Sequence, residues 1–267
     1  MTLFSSMIRM WRGPTPRPEP EQAQDLPEAQ LAALSPDQPL CVIGDIHGCA
    51  SLLDILSRKI AEEVDDDTRI IGVGDYVDRG DASADVLRML MAEATPTGSR
   101  LTCLAGNHED MLLGFLDDPQ QTGPRWLRYG GLQTLASFGL RGISETMSGT
   151  DLERARDGLR EAMGPELEHW LRGLPLYVQS GNVAVVHAGA NPDLPILQQD
   201  RKSLLWGHAE FFRRPRSDGL WVAHGHTVVP EIRQQGGRIS VDTGAYATGR
   251  LSAAILYPDG GTRHLST

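Results

Sequence analysis

The loop Gly44-Asp45-Ile46-His47-Gly48 follows a short apolar run, residues 40–43, and precedes an amphipathic stretch, residues 51–63. The apolar run predicts a strand, and the large apolar residues of the second stretch recur at helical spacing. The same order of strand, glycine-containing loop and helix returns at residues 69–92. Strands that alternate with helices predict βαβ units and a largely parallel sheet. Because ligands bind beyond the carboxyl ends of such strands, these loops mark the expected place of a site.

Four further polar clusters also follow predicted strands. They are Gly74-Asp75-Tyr76-Val77-Asp78-Arg79-Gly80, Gly106-Asn107-His108-Glu109, His187-Ala188-Gly189 and His224-Gly225-His226-Thr227. One such cluster alone is a weak signal, since Asn107 could simply be the N-cap of a helix. Five clusters in order at strand ends indicate ligands for two metal ions. Carboxylate and amide oxygens combined with imidazoles suit Mn, Fe or Zn better than Ca.

The first three clusters resemble the signature of the phosphoprotein phosphatase family, bacterial serine/threonine protein phosphatases included, within the calcineurin-like metallophosphoesterases. The resemblance runs from about Leu40 to Tyr257 and implies an α/β fold, a four-layer αββα sandwich of two sheets between helices. It also implies two divalent metal ions, Mn first and Fe or Zn as alternatives. Asp45, His47 and His226 would hold the first ion, Asn107 and His187 the second, and Asp75 would bridge them.

The resemblance further implies a metallophosphatase that hydrolyses phosphomonoesters by in-line attack of a hydroxide shared by the two ions. Arg79 would grip the phosphate through its planar guanidinium, and Asn107 would also contact the substrate. His108 would protonate the leaving oxygen as the general acid, with Asp78 orienting it.

A second phosphate-binding arginine is expected just after a Leu-Leu-Trp stretch, and here the chain departs from the pattern. Gly207 and His208 follow Leu204-Leu205-Trp206 instead. Arg213 and Arg214 are the preferred candidates for this substrate-binding role. Arg201 and His208 are the alternatives.

The leading substrate class is phosphoserine or phosphothreonine in proteins, with a small phosphoester as the other partner. The alternatives are a symmetrical diadenosine tetraphosphate hydrolase, a phosphodiesterase, or a degenerate module that only binds phosphopeptides. Symmetrical hydrolases usually carry Gln where this chain has His47, which favours the phosphatase.

The bulk composition excludes other classes of partner. A formal charge of -10 over 267 residues argues against a nucleic-acid binder. No apolar run approaches the ~20 residues that a membrane helix needs. The 3 cysteines form no even-numbered disulfide framework, so a reducing compartment and the cytoplasm are expected.

The chain divides into two parts by composition. Residues 1–37 contain alternating prolines and predict a poorly ordered tail, with a short helix at 27–34 as an option. Residues 38–267 predict the metallophosphoesterase domain. Within it, residues 107–174 predict a helical section that carries few ligating residues and caps the site.

Overall fold

The structure is a computed structural model that describes residues 32–95 and 97–267. The strands run in the order β1 Leu40–Ile43, β2 Arg69–Gly72, β3 Leu101–Cys103, β4 Tyr177–Ser180, β5 Val183–Val186, β6 Trp221–His224, β7 Arg233–Gln235, β8 Arg238–Ser240, β9 Ser252–Leu256 and β10 Thr262–Ser266. The helices are α1 Ala50–Glu63, α2 Ser83–Ala94, α3 Asn107–Asp117, α4 Pro119–Trp126, α5 Leu132–Ser137, α6 Thr150–Met163, α7 Pro165–Arg172, α8 Arg201–Trp206 and α9 Ala245–Thr248.

The strands form two mixed sheets, each with a parallel centre. The first has the order β10-β9-β1-β2-β3, and the second has the order β4-β5-β6-β8-β7. β1, β2 and β3 are parallel, as are β5, β6 and β8. The outer strands β4, β7 and β10 pair antiparallel with their neighbours. The predicted parallel arrangement therefore holds for the strands that carry the polar loops.

Three apolar clusters define the layers of the molecule. Leu40, Val73 and Val185 belong to the cluster shared by the two sheets. A second cluster joins the outer face of the first sheet to the helices α1–α7, and a third joins the second sheet to α8. β1 reads as an unbroken apolar run because both of its faces are covered. This confirms the αββα sandwich.

The predicted helical section consists of α3 to α7 and packs on the outer face of the first sheet. A single π-type turn, Leu127–Gly131, joins α4 to α5. Trp126 and Phe115 are fully buried there, with ring centres 4.7 Å apart. Full burial of one such side chain contributes about 1.5–3 kcal/mol, so these two rings anchor the section in the apolar cluster that it shares with the first sheet.

The proline-rich part of the expected tail, and the first five residues of the optional helix at 27–34, lie outside the described residues. Of that helix, residues 32–34 are described and are not helical. Leu34 is buried in the core between the sheets. The amide of Ser35 donates to Asn182, and Asp37 accepts from Gly181. Contacts with the domain therefore begin before residue 38.

Within the described ranges, no helix combines the length and the apolar character required to cross a bilayer.

Candidate active site

The polar loops meet at the carboxyl ends of the parallel strands. The amides of Ile46 and His47 donate to the carbonyl of Asp75, at 3.1 and 2.8 Å, and so link the loops after β1 and β2. The amide of Gly225 donates to the carbonyl of His187 at 2.8 Å, which links the loops after β5 and β6. The sandwich therefore brings the clusters of both sheets to one place.

Two of the histidines are fixed so that one ring nitrogen faces the centre. Backbone carbonyls lie 2.8 Å from Nδ1 of His47 and 3.1 Å from Nδ1 of His187. Each Nδ1 carries the ring proton and donates it to its carbonyl, which leaves Nε2 unprotonated with a free lone pair. In His187 this nitrogen lies 2.9 Å from Oδ1 of Asn107 and 3.4 Å from Oδ1 of Asp75.

Nε2 of His187 and the two oxygens are all acceptors, so no proton lies between them. A cation satisfies such a set, and imidazole with carboxylate and amide oxygens suits a divalent transition metal. The residues present thus fit the metal centre that the resemblance implies. Bound there, divalent ions would supply Lewis-acid charge for activating water and stabilising developing negative charge.

Within the described part of the chain, two groups of three His, Cys, Asp or Glu side chains have ligand atoms within 4.8 Å of one another, and Asp75 belongs to both. One contains His47 and His108, and the other contains His187 and His226. The rings of His187 and His226 lie 5.1 Å apart. This grouping favours His226 beside His187, whereas its expected place at the first ion with Asp45 and His47 stays a prediction.

Asp45 lies beside these groups and enters neither of them. Its carboxylate accepts the backbone amide of His226 at 3.0 and 3.1 Å. Burial raises the pKa of Asp45, and the nearby carboxyls of Asp242 and Asp75 raise it further. A buried carboxyl among other carboxyls needs positive charge to stay ionised, which is again what a metal ion provides.

Burial sets the protonation of the two fixed histidines. It lowers the pKa of His47 to about 3 and that of His187 to about 4. Both are therefore neutral near pH 7, the state in which imidazole binds metal. Burial raises the pKa of Asp75, but the charges of His187 and His108 outweigh it, so the pKa lies below its ordinary value.

His108 and Asp78 form a buried pair next to the ligands. Nδ1 of His108 lies 2.6 Å from Oδ2 of Asp78, and Nε2 lies 3.2 Å from Nη2 of Arg79. Burial lowers the pKa of His108, but the charge of Asp75 and the bond to Asp78 outweigh it and raise the pKa overall. A histidine held in this way has the geometry of a general acid.

Arg79 is held on two sides. Its guanidinium lies 4.6 Å from the ring centre of Tyr246, and its amide donates to the carbonyl of Gly130 at 3.4 Å. Tyr246 is 43% exposed and also lies edge-on to His47, at 5.2 Å. No sequence pattern singles out Tyr246, because its proximity to Arg79 depends on how α9 packs.

The residues behind Asp78 come from the α4–α5 segment, residues 119–137. Nε1 of Trp126 donates to both carboxylate oxygens, at 3.1 and 3.0 Å. Oγ1 of Thr134 donates to Oδ1 at 2.7 Å and accepts the amide of Asp78 at 2.9 Å. The helical section was expected only to cap the site, yet it supplies the hydrogen bonds that fix the carboxylate. Sequence reasoning missed both side chains because each also fits an ordinary helix core.

Glu109 joins two of the loops from inside. Its fully buried carboxylate accepts four backbone amides, at 2.8 to 3.3 Å, from Asp75, Tyr76, Val77 and Gly106. Burial raises the pKa of Glu109 to about 7, while these amides act in the opposite direction. The loops after β2 and β3 thus share one anchor.

Asp242 is a buried carboxyl that sequence reasoning also missed. It lies two residues after the end of β8, as Asp45 lies two residues after β1 and Asp75 three residues after β2. It is 3% exposed and accepts the amide of Gly244 at 2.8 Å. Burial raises the pKa of Asp242 to about 6. The rule that identified the other two carboxylates would have found this one.

Backbone strain is concentrated in the same loops. In the described part of the chain, the non-glycine residues with positive φ are His47, Asp75, Asp78, Arg79 and His226, at 46° to 72°. The left-handed region costs an L-residue roughly 1–2 kcal/mol. Such residues persist where the surrounding structure holds them, and they mark functional sites.

The candidates for a second phosphate-binding arginine lie in surface ion pairs. Arg214 binds Asp193 at 2.6 Å and Glu210 at 3.0 Å, and Arg213 lies 3.8 Å from Glu210. These contacts do not include the ligands around Asp75.

His208, one of the alternatives, lines a depression of about 300 Å³ together with Trp206 and His226. The other alternative, Arg201, binds Asp110 at 2.8 Å. Of the alternatives, His208 is the one that shares a depression with an expected metal ligand.

The sequence model of the calcineurin-like phosphoesterases matches residues 38–238, three quarters of the chain. The chain belongs to the calcineurin-like phosphoesterase family. With the acceptor groups described above, this makes the protein a metal-dependent phosphoesterase.

Relatives within the family carry two different activities. The asymmetrical bis(5'-nucleosyl)-tetraphosphatase PrpE of Anoxybacillus flavithermus is 25% identical over 242 residues, which cover 82% of this chain and 90% of the relative. Serine/threonine-protein phosphatase 1 of Salmonella typhimurium is 38% identical over 90 residues, covering 34% of this chain and 38% of the relative.

Solved structures share the fold at lower identity. One assigned as a diadenosine tetraphosphatase has a TM-score of 0.59 at 21% identity and covers 88% of this chain and 98% of its own. The cold-active protein-tyrosine phosphatase of a Shewanella species has a TM-score of 0.53 at 19% identity, covering 92% and 88%. At these identities the comparison bears on the fold alone.

Proposed function

We propose that this phosphoesterase cleaves dinucleoside tetraphosphates asymmetrically, giving a nucleoside monophosphate and a nucleoside triphosphate. The observation that carries the proposal is the extent of the similarity to the asymmetrical tetraphosphatase of Anoxybacillus flavithermus, 82% of the chain. Substrate choice depends on residues outside the shared centre. A similarity that continues through those residues therefore supports the relative's substrate class.

His47 does not oppose this proposal. The Gln that usually replaces it occurs in symmetrical hydrolases, whereas the Anoxybacillus relative, which covers 82% of this chain, is asymmetrical. His47 is thus neutral between an asymmetrical tetraphosphatase and a phosphatase.

Arg79 and His108 are proposed to act on the same phosphate. The guanidinium of Arg79 would neutralise charge on the phosphate oxygens as the bond to the leaving group breaks. Nε2 of His108, 3.2 Å from that guanidinium, would give its proton to the leaving oxygen. Asp78 would hold the ring through Nδ1 during the transfer.

The ligand set is proposed to comprise Asp45, His47, Asp75, Asn107, His187 and His226. Oxygen and imidazole ligands in this number suit Mn, and Fe or Zn fit the same residues. Arg213 and Arg214 remain the first proposal for a second contact to phosphate, although their ion pairs would have to open.

Phosphoserine and phosphothreonine in proteins form the second candidate substrate class. The 38% identity to the Salmonella protein phosphatase favours it, although that similarity covers only 34% of the chain. The set of Asp78, Arg79 and His108 also suits a phosphomonoester, whose alkoxide leaving group needs a proton.

The test compares three substrates on purified, chelator-stripped protein supplied with Mn²⁺. These are diadenosine tetraphosphate, a phosphothreonine peptide and p-nitrophenyl phosphate. We expect cleavage of diadenosine tetraphosphate to AMP and ATP, with the highest kcat/KM of the three substrates. Formation of ADP alone would overturn the asymmetrical assignment, and turnover of the peptide alone would establish the second candidate.

Two variants test the assigned roles in the same assay. His108→Ala is expected to slow hydrolysis of the peptide by ~10²–10⁴-fold. Hydrolysis of p-nitrophenyl phosphate should slow much less, because nitrophenolate leaves without a proton. Exposed His169, on α7, provides the control His169→Ala. Asp75→Asn is expected to abolish metal-dependent turnover, and full activity in that variant would contradict a shared ligand.

A further inference from the structure

A groove of about 880 Å³ runs beside the catalytic residues, between α3, α4 and α8. α3 begins with Asn107 and His108, and Asp110, Gly114 and Asp117 of the same helix line the groove. With a rise of 1.5 Å per residue, the groove follows this helix for about 10 Å away from the centre.

Trp206 connects the groove to the metal site. It lines the groove on one side, and it also lines the depression that contains His226. Leu204, two residues earlier on α8, accepts the amide of Ala188, the residue after His187. The end of α8 is thus held against the metal ligands. The groove and the depression that contains His226 thus share Trp206 as a common wall.

The groove has an excess of positive charge in an acidic protein. Four basic side chains line it, Arg125, Arg172, Arg201 and Lys202, against two carboxylates, Asp110 and Asp117. Arg172 binds Asp117 at 2.6 Å and Arg201 binds Asp110 at 2.8 Å, so these charges are paired.

Arg125 and Lys202 are the remaining cations of the groove. Across residues 32–95 and 97–267, neither has a carboxylate within 4.0 Å. Two cations are thus left for a ligand, in a chain whose formal charge is -10.

The same groove offers flat surfaces for an aromatic base. The guanidinium of Arg125 lies 4.4 Å from the ring centre of Trp206, and both side chains line the groove. Indole and guanidinium planes are the groups on which proteins stack nucleobases.

We propose that this groove binds the distal half of a dinucleoside polyphosphate: the phosphates beyond the reacting one and their nucleoside. Lys202 contacts the phosphate oxygens, and the base stacks on the Arg125 guanidinium that lies over the ring of Trp206. This inference rests on the proposed function, and it assigns a place to the part of the substrate that the metal centre does not hold.

The experiment separates the groove from the chemistry by comparing a long substrate with a short one. KM and kcat are measured for diadenosine tetraphosphate and for p-nitrophenyl phosphate in Trp206→Leu, Arg125→Gln and Lys202→Gln. Trp206→Leu is expected to raise KM for the dinucleotide roughly tenfold, the value of one stacked base. All three variants should leave the constants for p-nitrophenyl phosphate unchanged.

Matched controls lie outside the groove on the same kinds of surface. Arg128→Gln removes an exposed arginine from the turn that follows α4, and Lys59→Gln removes an exposed lysine from α1. Neither control is expected to change KM for either substrate.

Three results would overturn the groove assignment. Equal KM values for the dinucleotide in wild type and variants would do so while leaving the proposed function intact. A selective rise in KM for a phosphothreonine peptide would assign the groove to peptide. If wild type does not cleave the dinucleotide, the proposed function fails. Equilibrium binding of diadenosine tetraphosphate to the chelator-stripped protein then tests whether the groove binds the dinucleotide. Absence of binding, or binding that Trp206→Leu leaves unchanged, would overturn it.

Discussion

The strand-end loops and the α4–α5 segment contribute to the same site in different ways. The loops carry the ligating side chains and are bonded to one another, with Glu109 as their common anchor. The α4–α5 segment carries none of the expected ligands, yet Trp126 and Thr134 hold Asp78. The difference shows that residues doing chemistry and residues positioning them can come from separate parts of a fold.

Removal of the loop anchor is expected to have the largest effect. In Glu109→Gln, one side-chain oxygen remains to accept hydrogen bonds from the four backbone amides. The side-chain NH2 group places two further N–H donors beside these amides. The free energy of unfolding should fall by ~2–4 kcal/mol, because hydrogen bonds to a buried charged group are lost. Denaturant titration measures this, with exposed Glu62→Gln as the control. A Glu109→Gln variant as stable as wild type would mean that the loops hold together without their anchor.

Removal of a support from the α4–α5 segment should affect turnover more than stability. Thr134→Val deletes the hydroxyl that donates to Asp78, so Asp78 orients His108 less well. The kcat for a phosphothreonine peptide should fall ~10–100-fold, which is ~1.4–2.8 kcal/mol of activation free energy. Trp126→Phe should act in the same direction. Thr134→Ser restores the hydroxyl and should recover most of the activity.

The choice of substrate distinguishes positioning from a general structural defect. Turnover of p-nitrophenyl phosphate should fall less in Thr134→Val, because its leaving group needs no proton. An equal loss on both substrates would remove the distinction between the two regions, since it would mean that the segment merely supports the fold.

The smallest effect is expected far from the loops, where Arg172 binds Asp117 at the end of α3. Hydrogen bonds from Arg172 lower the pKa of Asp117. A lowered folded-state pKa gives stability that is fully present above the ordinary value near 4 and is lost as the pH falls through the lowered value. Asp117→Asn should therefore differ from wild type by ~0.2–1 kcal/mol at pH 7 and by less at pH 3. A difference of the same size at both pH values would assign the effect to packing.

The ligands were predictable because their positions follow from the order of strands. Asp45, Asp75 and Asn107 come two, three and four residues after the ends of β1, β2 and β3, and parallel strands bring such positions to one edge. The same rule applied to β8 identifies Asp242, which was overlooked only because its segment lacked a recognisable motif.

The supporting residues could not be predicted because their role depends on tertiary packing. Trp126 and Tyr246 lie far from the loops in sequence and have no pattern that distinguishes them from core or surface aromatics. Tyr76 shows the reverse case: it lies within a motif, yet it is fully buried and donates to the carbonyl of Gly72 at 3.0 Å. Sequence spacing thus identifies which loops meet, and packing decides which side chains face the site.

The five non-glycine residues with positive φ lower the stability of the fold at the same positions that supply the side chains of the site. Glycine would relieve the backbone at Asp75, Asp78 or Arg79, and it would remove the carboxylate or guanidinium there. The strained backbone is therefore kept together with the side chains that the chemistry needs, a balance between stability and activity that is common where active sites are strained.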